Sequence, residues 1–154
     1  MSGVSVVPSP VGRLAAFSDG SALVKIRFLG PDERTPSVPP DALSREAEAQ
    51  LLAYFAGQLR VFALKLAPKG TPFQQDVWRA LQAIPYGATA SYADIAERVG
   101  RPSAVRAVGA ANGANPIAIV VPCHRIIGRD GTLTGYAGGL DRKRALLDLE
   151  AAGR

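Results

Sequence analysis

Five consecutive apolar residues, Ile117 to Val121, stand between two prolines and constrain the fold more than any other stretch of this chain. A run of this length without a polar interruption is typical of a fully buried segment. Pro122 ends the run, because proline lacks a backbone N–H and has a fixed φ angle. The chain therefore needs a core around residues 117–121, and the residues after Pro122 emerge at the edge of that core.

Those residues are Cys123, His124 and Arg125, which include the only cysteine and the only histidine of the chain. A thiol reacts as its thiolate, and a neighbouring base or cation lowers its pKa from about 8.5. His124 supplies a base and Arg125 a cation. Adjacent side chains point apart on an extended chain, so a water molecule or another side chain would connect His124 to the thiol. The alternative is an inert core cysteine, because free cysteine is among the most buried residue types.

Cysteine and histidine counts exclude several classes of site. One cysteine forms no intramolecular disulfide, and one histidine argues against a catalytic zinc held by protein ligands alone. We therefore expect no metal ion. The sequence shows no N-terminal signal segment, and no apolar run approaches the roughly 18 residues that span a bilayer. This predicts a cytoplasmic protein without membrane contact.

The formal charge of +5 is unevenly placed along the chain. Residues 1–97 carry nine basic and nine acidic side chains, whereas residues 98–154 carry nine basic and four acidic ones. A basic region attracts phosphates and raises encounter rates with polyanions. The last third of the chain is therefore a candidate nucleic-acid surface, with a basic surface kept for solubility as the alternative.

The beginning of the chain predicts a small sheet with one helix. Apolar alternation and turn residues indicate a β-meander within residues 3–29, and four prolines make residues 30–40 an irregular loop. Asp41 is placed to cap a helix that ends at Gly57. Phe62, Leu64 and Leu66 alternate as a further strand.

A linker at residues 67–70 separates two predicted domains, 1–70 and 71–154. Thr71 is a helix cap, with Pro72 at the first helical position and Gln74 able to complete a capping box. Trp78 lies beside the apolar stripe of this helix, and we assign it to core packing.

Two short helices follow. Ser91 can cap residues 92–99 and Ser103 can cap residues 104–111, with a tight glycine-containing turn between them. This spacing fits a helix-turn-helix, whose second helix would enter a DNA groove. A plain helical hairpin has the same spacing. The second helix is rich in alanine and glycine, however, and such small residues would let its backbone approach DNA closely. Arg106 is the one large charged residue of this helix.

After the reactive segment, residues 126–133 indicate a hairpin and residues 135–139 a flexible loop that carries one tyrosine. Asp141 is placed to cap the last helix. Among the apolar positions of that helix, Lys143 and Glu150 stand out as charged residues.

Eight separated motifs now stand in one order: Phe73–Trp78, Ile84–Gly87, Ser91–Tyr92, Arg106–Gly109, Asn115–Pro116, Pro122–Arg125, Gly135–Gly139 and Leu147–Glu150. Together they resemble the bacterial O6-alkylguanine-DNA alkyltransferases. The resemblance is strong over residues 71–150 and looser upstream, from residues 9–12 onward.

The resemblance implies a two-domain α+β fold: a ribonuclease H-like sheet and helix, then a mainly helical domain with a winged-helix-like helix-turn-helix. It implies a monomer that repairs double-stranded DNA without a cofactor. The alkyl group of a flipped O6-alkylguanine, and also of O4-alkylthymine, passes irreversibly to Cys123. The thioether is neither a thiolate nor a good leaving group, so one molecule repairs one lesion.

The resemblance also implies roles for individual residues. Cys123 attacks, His124 acts as its base through a water, and Glu150 orients His124. The remaining assignments are Asn115, which holds the segment; Tyr92, which donates to the flipped base; Tyr136, Ala137 and Ile126, which surround the substrate; and Arg106, Ala104, Ala107 and Gly109, which contact DNA together with Tyr92. Two positions depart from many relatives: Asn112 stands where some have an apolar side chain against the base, and Ala118 where some have proline.

Each assignment has a structural alternative. Glu150 would be a solvated helix end, Tyr92 and Tyr136 amphipathic surface packing, Asn115 a turn residue, and Arg106 the partner of an acid.

Rival functions are a lesion-binding module without transfer, a helix-turn-helix regulator and a cysteine hydrolase. The first lacks the reactive cysteine that is present here. The second predicts strong preference for one DNA sequence, and the third usually takes its base from a distant stretch of sequence.

Overall fold

The computed structural model describes residues 2–153, and the chain divides into two compact units, Met1–Lys69 and Gly70–Arg154. Each unit combines helices with strands, which confirms the predicted mixed α+β class. Within the described residues, no helix has the length and apolar character needed to cross a membrane.

The first unit is a three-stranded antiparallel meander with one helix packed on it. Its elements are β1 (Gly3–Val7), β2 (Leu14–Ser18), β3 (Leu23–Phe28) and α1 (Ala42–Phe55). Side chains alternate across a sheet, so Ser5 faces α1 and donates to the Ser44 hydroxyl at 3.0 Å. Val4 and Phe17 point to the other face, where they pack with Leu29. All of β2 is buried because both of its faces are covered.

The predicted strand at residues 62–66 is wrong. Only Leu66 pairs, in an isolated parallel bridge with Leu23. Upstream of it, the side-chain amide of Gln50 takes the place of a neighbouring strand, since it accepts from the Ala63 N–H at 2.9 Å and donates to the Ala63 carbonyl at 3.1 Å. These backbone groups are therefore satisfied without a sheet.

The second unit is mainly helical. It contains α2 (Pro72–Gln82), β4 (Ala90–Ser91), α3 (Tyr92–Arg98), α4 (Val105–Gly113), a 3₁₀ turn (Cys123–Arg125), β5 (Ile126–Ile127) and α5 (Leu140–Ala152). Helices α2, α3 and α4 pack on one another. Trp78 of α2 is 1% exposed and donates its indole N–H to the Ala111 carbonyl at 2.9 Å. The prediction that Trp78 belongs to the core is confirmed.

Three predicted helix caps are confirmed and two are wrong. Asp41, Thr71 and Ser91 each accept a backbone N–H in a complete capping box. Ser103 caps nothing, because α4 begins one residue later than expected and Ala104 occupies the cap position without a side-chain bond. Asp141 lies inside the first turn of α5, whose cap is Gly139 at a φ of 92°.

A pair of substitutions tests this difference. Thr71→Ala is expected to lower the free energy of unfolding by about 1 kcal/mol, because it removes a cap hydrogen bond. Ser103→Ala, at another exposed position, is expected to change it by less than about 0.5 kcal/mol. Urea unfolding followed by circular dichroism measures both. Equal losses would contradict the assignment of the caps.

The predicted hairpin after residue 126 is also wrong. Strand β5 pairs in parallel with β4, so that Ala90 lies opposite Ile126 and Ser91 opposite Ile127. The following residues form a closed turn in which the Gly128 N–H donates to the Thr132 carbonyl at 2.8 Å. The pairing therefore fixes the end of the reactive segment beside the beginning of α3.

Candidate active site

The apolar run lies in the core as predicted, with Ile117, Ile119, Val120 and Val121 all buried. Its backbone is folded tightly: Ile119 has a left-handed φ of 71°, which is strained for a β-branched residue. The side-chain amide of Asn115 bridges the two ends of this run. Its Nδ2 donates to the Val121 carbonyl at 2.8 Å, and its Oδ1 accepts from the Ile117 N–H at 3.0 Å. Asn115 thus joins both ends of the run immediately before the thiol.

Cys123 opens the 3₁₀ turn and is 5% exposed. It borders a cavity of about 220 Å³, which is lined by Tyr92, Gly109, Asn112, Gly113, Cys123, Gly135, Tyr136 and Ala137. Burial raises the pKa of the Cys123 thiol, while the Asn115 side chain and the charge of Lys143 act to lower it. Burial is the larger effect, so the thiol needs a base to react.

His124, the residue after Cys123, belongs to a buried network. The Nε2 atom of His124 lies 2.7 Å from Oε2 of Glu150, at the C-terminal part of α5. Arg125 donates to both oxygens of the same carboxylate, from Nε at 2.8 Å and from Nη2 at 3.0 Å, and from Nη1 to the Ile84 carbonyl at 2.7 Å. All three side chains are buried. The alternative reading of Glu150 as a solvated helix end is therefore wrong.

This network determines the protonation of His124. A carboxylate bound by a guanidinium is an acceptor, so Nε2 carries the proton and Nδ1 keeps a lone pair. Nδ1 is buried and has no hydrogen-bond partner among the described residues. Burial lowers the pKa of His124, against the opposing effect of Glu150. The imidazole is thus buried and neutral, with a lone pair on Nδ1.

Lys143 bonds to the loop that contains Gly135, one of the residues that line the cavity. Its side chain is fully buried, and its ammonium donates to the carbonyls of Thr134 at 2.6 Å and Gly135 at 3.5 Å. The Thr134 hydroxyl also lies 2.8 Å from the Tyr92 hydroxyl. Residues 134 and 135 are therefore hydrogen-bonded to α5 through Lys143 and to the beginning of α3 through Tyr92.

The structure brings most of the predicted site residues together. Tyr92, Gly109, Tyr136 and Ala137 line the cavity with Cys123. Ile126 does not line it, because that residue is fully buried in β5.

The predicted DNA contacts lie on or beside α4. Arg106 and Ala107 are exposed, and Ala104 is partly exposed at the helix cap. A Cβ added at Gly109 would meet the Tyr92 ring at 3.8 Å, an ordinary contact. Among residues 2–153, no group of three or more His, Cys, Asp or Glu side chains is placed to hold a metal ion.

Two residues of the site were not predicted in the roles that the structure shows. Sequence reasoning assigned Arg125 to the thiol, but Arg125 binds Glu150 instead. An arginine inside a buried segment requires an acid, so the pairing with Glu150 had a signal in the sequence. Asn112 borders the cavity, and the sequence marked it only as a departure from relatives.

Comparisons with known proteins cover this site and the whole chain. Residues 72–152 match the family model described as 6-O-methylguanine DNA methyltransferase, DNA binding domain. The methylated-DNA–protein-cysteine methyltransferase of Mycobacterium tuberculosis is 53% identical over 147 residues, covering 94% of this chain and 89% of the relative. Its counterpart in Methanosarcina acetivorans is 49% identical over 152 residues, covering 96% and 97%.

Solved structures agree. The crystal structure of Mycobacterium tuberculosis O6-methylguanine methyltransferase matches with a TM-score of 0.88 at 51% identity, covering 100% of this chain and 95% of that chain. The structure of Mycobacterium tuberculosis OGT in complex with DNA matches with a TM-score of 0.88 at 53% identity, covering 96% and 92%.

Proposed function

The chain belongs to the methylated-DNA–protein-cysteine methyltransferases, DNA repair proteins that move an alkyl group from DNA to their own cysteine, and we propose that Cys123 is the acceptor. The observation that supports the assignment is the position of Cys123. This residue, the only cysteine in the chain, lines the cavity and directly precedes His124, which is paired with Glu150. The substrate is double-stranded DNA with O6-alkylguanine, and also O4-alkylthymine. No cofactor takes part.

The reaction is one in-line displacement. His124 Nδ1 accepts the proton of Cys123 through a water, and the sulfur attacks the alkyl carbon. The S–C bond forms as the C–O bond breaks, and the electron pair of the C–O bond passes to O6 of the leaving guanine. Tyr92 donates to the flipped base and stabilises its departure. The product is a thioether, so each molecule acts once.

The remaining site residues position the base. Tyr136 and Ala137 surround the alkylated oxygen, which their place in the cavity wall supports. Ile126 acts indirectly: it is buried outside the cavity, in the strand that directly follows the 3₁₀ turn, and it supports the turn that contains Cys123. Asn115 fixes the reactive segment, which its bonds across residues 117–121 support.

DNA is bound by α4. The small residues Ala104, Ala107 and Gly109 let the helix approach the duplex closely, and the exposed Arg106 fills the gap that the flipped base leaves. Helices α3 and α4 form the helix-turn-helix of a winged-helix-like domain at residues 71–154. The domain at residues 1–70 is ribonuclease H-like, and its three-stranded meander with one helix supports this proposal.

The protein acts as a monomer in the cytoplasm. A single free thiol at the centre of the reaction requires a reducing compartment, because it would otherwise be lost to oxidation.

Mass spectrometry of the intact protein tests the function. After incubation with a duplex that carries one O6-methylguanine, the chain is expected to gain the mass of one CH₂ group at Cys123, once per molecule. Cys123→Ser is expected to gain nothing while it still binds the duplex. If the unmodified chain kept its mass but preferred the damaged duplex, it would be a lesion-binding module instead.

A further inference from the structure

The side chain of Thr134 is hydrogen-bonded to a residue of the site without lining the cavity itself. Its Oγ1 atom lies 2.8 Å from the Tyr92 hydroxyl. Tyr92 lines the cavity together with Cys123, and Thr134 is not among the residues of the cavity wall. The Thr134 hydroxyl can therefore influence the reaction only through Tyr92.

The backbone is held in place at both ends of this hydrogen bond. Thr134 is exposed, but the ammonium of the fully buried Lys143 donates to its carbonyl at 2.6 Å. Tyr92 is the first residue of α3, directly after the Ser91 cap, and Ser91 pairs with Ile127 of β5. The bond thus joins two anchored segments, although its two hydroxyls lie near the surface.

The direction of the bond follows from the role of Tyr92. A phenol has one O–H to donate, and its oxygen can accept a second hydrogen bond. In the proposed reaction Tyr92 donates its proton to the flipped base, so the Thr134 O–H has to donate to the Tyr92 oxygen. Hydrogen bonds in such a chain polarise one another, which makes Tyr92 a stronger donor.

Resting on the function proposed above, we propose that Thr134 is a positioning residue, which holds and polarises the Tyr92 hydroxyl for alkyl transfer. The effect is greatest when negative charge develops on the leaving base, because a stronger donor then stabilises the transition state more than the bound substrate. Loss of the Thr134 hydroxyl is therefore expected to lower the maximal rate of transfer without weakening the binding of the duplex.

Thr134→Val tests this role, because valine keeps the shape of threonine and lacks the hydroxyl. In single-turnover transfer from an O6-methylguanine duplex, the maximal rate is expected to fall by about three- to tenfold. The duplex concentration that gives half of this rate is expected to stay within about twofold of the native value. Thr134→Ser restores a hydroxyl and is expected to recover the maximal rate to within about twofold of native.

A double-mutant cycle shows whether the effect passes through Tyr92. Tyr92→Phe has no phenol oxygen, so adding Thr134→Val to it is expected to change the maximal rate by less than about 1.5-fold. Thr132→Val is the matched control two residues earlier in the chain. The exposed Thr132 hydroxyl donates to Asp130 Oδ1 at 2.7 Å instead of contacting Tyr92, and its loss is expected to leave the maximal rate unchanged.

Three results would overturn the proposal. A native or raised maximal rate in Thr134→Val would show that the hydroxyl does not assist Tyr92. An equal loss in the Tyr92→Phe background would show that the effect does not pass through the phenol. Failure of Thr134→Ser to recover the rate would assign Thr134 a purely structural role. Absence of any transfer by the native chain would instead remove the proposed function itself, and intact mass distinguishes that case.

Discussion

Replacing Glu150 by alanine is expected to lower the free energy of unfolding by about 3–5 kcal/mol, because the buried guanidinium of Arg125 then loses its counter-charge. The Glu150 carboxylate receives two bonds from Arg125 and one from His124, and it also lies 3.4 Å from the Gly87 N–H. These donors are left without their acceptor inside the core. Urea unfolding followed by circular dichroism measures the loss.

A matched control lies on the same helix. Asp148 is exposed, and Asp148→Ala is expected to change the free energy of unfolding by less than about 0.5 kcal/mol. Glu150→Gln keeps the shape and one acceptor oxygen, so its loss is expected to lie between those of the two alanine variants. A loss below about 1 kcal/mol for Glu150→Ala would contradict the buried network, since removing one partner of a buried pair costs about 3–5 kcal/mol.

Local chemistry made much of the secondary structure predictable. The caps at Asp41, Thr71 and Ser91 depend on a side chain and a backbone N–H three residues away, which lie within one sequence window. The wrong predictions concern segments whose structure depends on residues that are distant in the sequence. The side-chain amide of Gln50 forms the hydrogen bonds of the Ala63 backbone that a neighbouring strand would otherwise form. Strand β4 pairs with β5, although α3 and α4 lie between them in the sequence. No periodicity within residues 62–66 or 126–133 contains that information.

The site divides in the same way. Burial of Ile117 and of residues 119–121 followed from their apolar composition, and the position of the thiol at the end of this run followed from Pro122. The pairing of Arg125 with Glu150 is a contact between the 3₁₀ turn and α5, so sequence reasoning placed that cation at the thiol instead. The unpaired Oδ1 of Asn112 is a property of its surroundings, which only the folded chain shows.

Replacing His124 by glutamine is expected to slow alkyl transfer at neutral pH by about 100- to 10,000-fold, the usual contribution of a general base. Glutamine can still donate to Glu150, but its amide cannot take the thiol proton. Stopped-flow or quenched transfer from an O6-methylguanine duplex measures the rate. Binding of the same duplex and the melting temperature serve as controls for the fold, and Gln82→Leu is expected to retain the native rate.

The pH dependence separates a base from a merely structural histidine. Burial lowers the pKa of His124 below its ordinary value of 6.5 and raises that of Cys123, so the native chain holds a neutral imidazole beside a protonated thiol between the two. Its transfer rate is therefore expected to stay flat as pH falls through 6.5 and to drop only below the lowered pKa of His124. The glutamine variant depends on thiolate formed by solvent, so its rate is expected to rise about tenfold per pH unit up to the raised thiol pKa. Parallel profiles for the two proteins would show that His124 takes no proton, because only a lost base changes the slope.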